Sequence, residues 1–281
     1  MGPRRARSAA LVAVAAAAAL VGCNSAGSPA QGTTQVGFVS ITPAAQSTGI
    51  RPDARVRVHV TQGKVRSVTV SDGSGGTLSG VLSADHRTWQ SRTPLQTDTV
   101  YDVTAAAADA KGHAITVTTV FWTLKSSQHL AARIAPLTGE TVGVGMPIAV
   151  YFTAPVKNRA AVEARFHVTS AKHVVGAWHW YSDREMHYRP PQFWPADDHV
   201  SLRYDLRGID AGGGVWGDQH RTIAFSIGAS HVSKVYARTH TMNVYDDGHL
   251  VQTYPVSTGR DKYPTTSGIH VVLNKNPDQL M

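Results

Sequence analysis

The chain has 281 residues, a formal net charge of +8 and a single cysteine. That length is sufficient for two or three domains, and one cysteine excludes both a disulfide framework and a thiolate metal site. The basic residues are scattered and form no known nucleic-acid-binding motif, so we expect no nucleic-acid partner. The 14 histidines form no compact ligand motif, so we expect no metal and no other cofactor.

The first residues have the layout of a secretory signal. Three arginines, at positions 4, 5 and 7, precede an uncharged apolar run over residues 9–21, which is too short to span a bilayer comfortably. The sequence LVGC at residues 20–23 is typical of a bacterial lipoprotein cleavage and lipidation site. We therefore predict a lipoprotein signal peptide over residues 1–22 and a lipid anchor on Cys23 that holds the protein on the extracytoplasmic face of the cell membrane, in the cell envelope. An ordinary signal peptide with Cys23 there by chance is the alternative.

Residues 23–34 read as a flexible tether, since they are rich in Ser, Gly, Ala, Pro and Thr. Without the three signal arginines, 24 basic residues face 19 acidic ones, a net charge of +5. This mild positive charge fits a protein that works beside anionic envelope polymers.

Alternating apolar and polar residues dominate the next 200 residues and predict short, half-buried strands. Examples are VRVHV at 56–60, VTV at 68–70, VYDV at 100–103 and ITVT at 115–118. Gly, Asp and Ser clusters separate them at the spacing of a β-sandwich. The one helix we predict follows Asn158 and runs through residues 159–165, with Asn158 as its N-cap.

A faint internal repeat organises this region. ITP at residues 41–43 recurs as IAP at residues 134–136, and each unit closes with a similar strand, TVFWTL at 119–124 and TIAFSI at 222–227. Two immunoglobulin-like domains of ordinary size are therefore predicted, over residues 35–127 and 130–228. Because so few residues separate them, we expect them to stack end to end.

The second sandwich is rich in aromatic residues. One interpretation is a glycan-binding platform, since sugar faces stack on aromatic rings. We favour the other, core packing plus a contact between domains, because alternation places Trp178 and Trp180 on one strand face. The set comprises Trp178, Trp180, Tyr181, Tyr188, Phe193, Trp194, Tyr204 and Trp216.

After residue 228 the repeat does not continue. Residues 232–236 and 241–245 read as strands, and Asp-Asp-Gly at 246–248 predicts a hairpin into residues 250–254. A further strand is predicted over residues 269–273, with unpaired edges, and we expect residues 229–281 to be mobile or to lean on the second sandwich. So short a segment can hardly bury a full core alone.

Three motifs in this segment resemble the start of the L,D-transpeptidase catalytic domain of the YkuD type: HTMNVY at 240–245, PVSTGRD at 255–261 and PTTSGIH at 264–270. In the preceding sandwich, FTAPVKNR at 152–159 and YRPPQFW at 188–194 resemble the immunoglobulin-like domain that precedes it in mycobacterial and related actinobacterial enzymes. The resemblance implies an all-β fold: two tandem immunoglobulin-like β-sandwiches followed by the first strands of an incomplete β-rich L,D-transpeptidase domain, over residues 229–281.

The resemblance also implies a reaction. Enzymes of this family form 3→3 peptidoglycan cross-links by cysteine acyl transfer, so the implied partners are peptidoglycan stem peptides. The family's catalytic motif, Ser/Thr-His-Gly-Cys, occurs nowhere in these residues. We therefore assign no catalytic residue, and we expect a member that is truncated before its nucleophile and inactive as given. We expect a monomer. The alternative is a non-catalytic lipoprotein that binds the cell wall or acts as a spacer.

Overall fold

The structure, a computed structural model, describes residues 32–272. The predicted signal peptide, Cys23 and most of the tether lie outside the described residues. Strands account for nearly all the regular structure of residues 32–272, and the only helix there has five residues.

The first sandwich consists of two antiparallel sheets. One has the strand order β1-β2-β3-β6-β5 and the other the order β4-β7-β8. The predicted strands are confirmed, and the Ala-rich stretch at 105–108 continues a strand. The strands are β1 (Thr34–Val36), β2 (Val39–Thr42), β3 (Arg57–Val60), β4 (Lys64–Asp72), β5 (Gly80–Leu82), β6 (Thr88–Ser91), β7 (Val100–Ala108) and β8 (Ala114–Trp122).

Alternation explains why these sheets pack face to face. Val39 and Ile41 of β2 are fully buried, whereas Ser40 between them is only half-buried. From the other sheet, Tyr101 stacks on Phe121 at a centroid distance of 5.4 Å. The Tyr101 hydroxyl accepts a hydrogen bond of 2.9 Å from the backbone N–H of Gln96, five residues upstream. A tyrosine tied back to the preceding backbone in this way is a feature of immunoglobulin-like sandwiches.

The second sandwich also has two main sheets, with strand orders β10-β12-β15-β14 and β11-β19-β16-β13, and a small sheet β17-β18-β9 lies beside them. The elements are β9 (Gln128–Leu130), β10 (Ala132–Ala135), β11 (Thr141–Val142), β12 (Ile148–Phe152), α1 (Arg159–Glu163), β13 (Phe166–Ser170), β14 (Ala177–Trp180), β15 (Glu185–Arg189), β16 (His199–Asp205), β17 (Asp210–Gly212), β18 (Val215–Gly217) and β19 (His220–Ile227).

The internal repeat appears as the same strand pairing in both sandwiches. β2 pairs antiparallel with β3, and β10 pairs antiparallel with β12. Each ITP or IAP motif ends its strand at a cis X–Pro peptide bond. The buried apolar side chains form two separate clusters, one per sandwich. The exact boundaries at residues 35, 127, 130 and 228 stay a prediction.

The helix is where the sequence predicts it, but the predicted cap is wrong. No side-chain hydrogen bond from Asn158 caps α1. Its Nδ2 instead donates to the carbonyl oxygen of Asp210 at 2.9 Å, so this side chain joins the helix to β17. The capping acceptor of an asparagine is Oδ1, and the Oδ1 of Asn158 accepts no hydrogen bond from the first turn of α1.

The linker between the sandwiches is itself part of the fold. Its end forms β9, which pairs in parallel with β18. Arg51 of the first sandwich reaches across to the second: its guanidinium lies 4.9 Å from the ring centroid of Trp216 and 3.4 Å from Asp210 Oδ2. The two sandwiches are therefore in direct contact.

The last described segment is a three-stranded antiparallel sheet, β20-β21-β22. The hairpin prediction is confirmed, with Asp247 and Gly248 both at positive φ, as a two-residue turn requires. The prediction of a strand from residue 269 is wrong over the described residues. Residues 269–272 have no strand structure, and no described strand forms backbone pairs with them. The strands are β20 (His231–Tyr236), β21 (Thr241–Asp246) and β22 (His249–Pro255).

Candidate functional site

Most of the aromatic residues of the second sandwich form its core. Phe152 stacks on Trp180 at 5.4 Å, and Phe166 stacks on Tyr204 at 4.9 Å and meets Trp178 edge-on at 5.6 Å. Their polar atoms are paired as well: the Trp180 indole donates to Glu163 at 2.8 Å, and the Tyr204 hydroxyl donates to Gln219 at 2.9 Å. The core interpretation is confirmed for Trp178, Trp180, Tyr188, Trp194 and Tyr204, and Trp216 contacts Arg51 of the first sandwich.

Two members of the set do not belong to that core. Tyr181 is 64% exposed and Phe193 is 42% exposed. Phe193 lies in the loop after β15, and Tyr181 directly follows β14. Tyr151 is also exposed on this sandwich, but the sequence gives no signal of this, because its strand IAVYF reads as almost wholly apolar.

The C-terminal sheet contacts the second sandwich. Val232 of β20 packs against the sandwich core. Within the C-terminal segment itself, Ser230 and Asp247 are joined by two hydrogen bonds of 2.9 Å, one from the Asp247 N–H to the Ser230 carbonyl oxygen and one from the Ser230 N–H to the Asp247 carboxylate. The predicted alternative of a segment that leans on this sandwich is therefore the arrangement the structure has.

The loop after β22 carries the PVSTGRD and PTTSGIH motifs. Thr258 Oγ1 lies 2.7 Å from His240 Nδ1, which ties the loop to the turn before β21. Thr265 Oγ1 accepts a 2.6 Å hydrogen bond from the Gly259 N–H. A Cβ at Gly259 would lie 2.2 Å from the Tyr263 carbonyl oxygen, so the close approach of two backbone segments requires glycine there.

An apolar cavity of about 390 Å³ lies between this loop and the second sandwich. Ile269 of the PTTSGIH motif lines one side, and the YRPPQFW motif lines the other with Pro190, Pro191 and Phe193. Two of the five motifs that carry the resemblance, PTTSGIH and YRPPQFW, thus meet in space.

The described residues offer no complete catalytic constellation. They contain no cysteine, since Cys23 lies outside them. The His240–Thr258 pair is exposed and has no third group within residues 32–272 to orient the imidazole as a base, so its geometry fits a loop tie better than an activated nucleophile. Over the same range, no three His, Cys, Asp or Glu side chains group as a metal site would, and no helix is long and apolar enough to cross a bilayer.

The shifted pKa values belong to structural groups of the sandwiches. Burial raises the pKa of Tyr101 and of Tyr204. The hydrogen bond that Arg207 donates lowers the pKa of Asp205, and the hydrogen bond that Arg51 donates to Asp53 raises the pKa of Arg51. These shifts mark fold contacts and the contact between sandwiches.

Comparison with known families decides the identity of the two regions. Residues 47–210 match the bacterial Ig domain family, which is more than half of the chain, and residues 230–281 match the L,D-transpeptidase catalytic domain. The chain belongs to the L,D-transpeptidase family with bacterial Ig domains.

Curated relatives named L,D-transpeptidase occur in mycobacteria. L,D-transpeptidase 5 of Mycobacterium tuberculosis is 30% identical over 86% of this chain and 55% of its own length. L,D-transpeptidase 2 of the same species is 31% identical over 80% of this chain and 55% of its own length. The chain spans about half the length of the curated relatives it matches. Among solved structures, an L,D-transpeptidase in complex with imipenem is 28% identical, with a TM-score of 0.42, over 50% of this chain and 58% of that chain.

Proposed function

We propose that this protein is a peptidoglycan L,D-transpeptidase that is anchored to the cell membrane by lipid and faces the cell wall. The observation that carries the proposal is the match of residues 230–281 to the L,D-transpeptidase catalytic domain, which follows the Ig-domain match of residues 47–210 in the chain. In this arrangement the two sandwiches act as a spacer between the membrane and the domain that acts on stem peptides.

The anchor in this proposal is Cys23. A diacylated cysteine inserts two chains, which is sufficient for stable membrane attachment without a spanning helix. Residues 1–22 then act as the signal peptide and residues 23–34 as the tether, followed by the sandwiches of residues 35–127 and 130–228. A Cys23→Ser variant tests this: we expect loss of acylation by mass spectrometry and loss of the protein from the membrane fraction. Acylation that persists in this variant would contradict the anchor.

The reaction in this proposal is the 3→3 cross-linking that the family resemblance implies. A cysteine thiolate, formed when the thiol gives its proton to a general base, attacks the carbonyl carbon of the third stem residue. The C–N bond to the terminal D-residue breaks, and the base returns the proton to the leaving nitrogen, so that this residue leaves as a neutral amine. An amine of a neighbouring stem then attacks the thioester, loses its proton and releases the thiolate. Since the only thiol of residues 1–281 is Cys23, which the lipid anchor consumes, we propose that these residues by themselves form no acyl-enzyme.

Intact-mass spectrometry of the 281-residue chain incubated with a carbapenem tests whether these residues form an acyl-enzyme. We expect no covalent adduct, whereas a family member that carries the Ser/Thr-His-Gly-Cys motif serves as the positive control. An adduct on this chain would contradict the proposed inactivity.

Light scattering after size exclusion tests the proposed monomer, and a measured mass equal to two chains would contradict it.

A second candidate function is a non-catalytic lipoprotein that binds the wall or acts as a spacer. The exposed Tyr181 and Tyr151 on the second sandwich favour it. Sedimentation with insoluble peptidoglycan separates a wall-binding protein from a pure spacer, because only the former is retained above a lipoprotein control.

A further inference from the structure

The outer face of one sheet of the second sandwich carries a cluster of exposed rings. We call it the tyrosine face and define it as Tyr151, His179, Tyr181, Glu185 and His187. Register explains why they share a face: Tyr151 lies opposite Glu185, and His179 lies opposite His187. The neighbouring inward positions of the same strands, such as Val150 and Met186, are fully buried in the core.

The rings of the tyrosine face touch one another. Tyr181 lies 4.6 Å from His187 and 5.0 Å from His179, and Tyr151 meets His187 edge-on at 6.2 Å. Glu185 Oε1 lies 2.9 Å from His187 Nε2, which fixes the orientation of the central ring. The result is a continuous aromatic row in which Tyr181 is 64% exposed and Tyr151 is 40% exposed.

The other outward faces of the sandwiches have no such row over residues 32–227. In the first sandwich, Ser40, His59 and Thr88 lie side by side across one sheet, and Thr69, Thr104 and Thr118 across the other. In the second sandwich, Thr169, Ser201 and Ala224 occupy the outer face of the opposite sheet. Single exposed apolar residues are ordinary, but a connected group of four rings confined to one face marks a candidate interaction site.

The chemistry of the tyrosine face indicates which class of ligand it can bind. Its rings are interspersed with ionisable groups, since Glu185 lies within the row and Arg133 lies directly opposite Tyr151. The centre of a protein–protein interface is depleted in charged residues, so this mixture disfavours a protein partner. A sugar ring has the matching character, because it presents an apolar C–H face to an aromatic ring and hydroxyl and amide groups to polar side chains.

We propose that the tyrosine face binds the glycan strand of peptidoglycan. Tyr181 and Tyr151 stack against successive N-acetylated sugar rings, while Glu185 and the histidines exchange hydrogen bonds with their hydroxyl and acetamido groups. This inference rests on the proposed function, which places the protein beside the cell wall, and it gives the second sandwich a role that the first does not share. Binding there holds the catalytic domain close to the stem peptides carried by the same strand, which raises their effective concentration.

The test measures binding of two probes to the full chain: chitotetraose, and peptidoglycan glycan strands from which the stem peptides have been removed. The variants are Tyr151→Ala with Tyr181→Ala, and Tyr151→Phe with Tyr181→Phe. Trp122→Ala is the matched control, because Trp122 is an exposed aromatic residue of the first sandwich. All three substituted positions are exposed, and thermal unfolding of each variant checks that the fold persists.

We expect calorimetry to show that the double alanine variant binds both probes about tenfold more weakly, as the loss of two ring contacts predicts, whereas the double phenylalanine variant and Trp122→Ala bind as the unmodified chain does. Equal binding by the double alanine variant, or no binding of either probe by the unmodified chain, would overturn the proposal. Binding only of intact peptidoglycan with its stems would overturn it too. None of these results bears on the carbapenem experiment, so failure here and failure of the proposed function are distinguishable.

Discussion

The two sandwiches share a strand pairing but use their aromatic residues differently. In the first, Tyr101 and Phe121 form one stacked pair in a core that is otherwise mostly valine and alanine. In the second, a chain of rings crosses the core, and further rings lie outside on the tyrosine face. One repeated framework therefore supplies two different surfaces: the first sandwich presents rows of short polar side chains, and the second presents a surface suited to a ligand.

The largest effect should come from removing one core ring in each sandwich. Phe121 is fully buried, and Phe166 is 5% exposed and contacts three other rings. We expect Phe121→Ala and Phe166→Ala each to lower the free energy of unfolding of their own sandwich by about 3–5 kcal/mol, since each leaves a cavity. Because the two cores are separate clusters, calorimetric unfolding should show that each change shifts a different transition.

The control for this pair is Trp122→Ala, next to Phe121 but on the outer face, which we expect to shift neither transition by more than about 0.5–1 kcal/mol. If Phe121→Ala and Phe166→Ala destabilise the same single transition, the sandwiches unfold as one unit, and the separation of the two cores has no thermodynamic meaning.

The second largest change in stability is expected from overpacking of the first sandwich. A Cβ at Gly80 would lie 2.0 Å from the Trp89 ring, whereas a Cβ at Gly73, in the same sandwich, would meet nothing within 4 Å. We expect Gly80→Ala to cost about 1–3 kcal/mol through overpacking, and Gly73→Ala to leave stability nearly unchanged. Chemical denaturation of the two variants gives the comparison. Equal stability would mean that Trp89 moves aside without cost.

The strands are predictable from the sequence, whereas the composition of the surfaces is not. Alternation located β3, β7 and β8, and Asp-Gly located the turn between β21 and β22, because both signals are local. The aromatic core was also predictable, since Trp178 and Trp180 are two residues apart on one strand.

Features that depend on distant residues escaped prediction. Asn158 reads as a helix cap, but its partner is the Asp210 carbonyl, 52 residues on. The tyrosine face joins Tyr151 to Tyr181 and His187 across three strands, and no local pattern indicates which strands become neighbours. The motifs of the C-terminal loop predicted the family, but the cavity between Ile269 and Phe193 emerges only when both segments are placed together.

A moderate effect is expected at the contact between the sandwiches. Arg51 stacks over Trp216 and pairs with Asp210 of the second sandwich, so we expect Arg51→Ala to weaken this contact by about 1 kcal/mol. Nuclear magnetic resonance relaxation should then show more independent tumbling of the two sandwiches. Arg207→Ala is the matched control, because it removes an arginine–aspartate pair that lies within the second sandwich alone. Unchanged tumbling in Arg51→Ala would mean that the remaining contacts between the sandwiches, such as the close approach of Gly208 to Pro94, are sufficient to hold the two together.

The smallest effect is a pH dependence specific to the second sandwich. The hydrogen bond from Arg207 lowers the pKa of Asp205 in the folded protein, so the ionised carboxylate stabilises the fold. This contribution is complete above the unfolded pKa of about 3.9 and is lost as the pH falls through the lower, folded value. The carboxylate is about half exposed, so solvent screening limits the contribution to about 0.5 kcal/mol.

Asp205→Asn should therefore be less stable than the unmodified chain at pH 7, and the difference should shrink as the pH approaches 3. Urea unfolding at both pH values, followed through the transition of the second sandwich, measures it. Asp183→Asn is the control, since within residues 32–272 no arginine side chain hydrogen-bonds to that carboxylate. A difference that persists undiminished at pH 3 would show that the amide substitution itself disturbs the packing of β16, and that the charge of Asp205 is not what stabilises this strand.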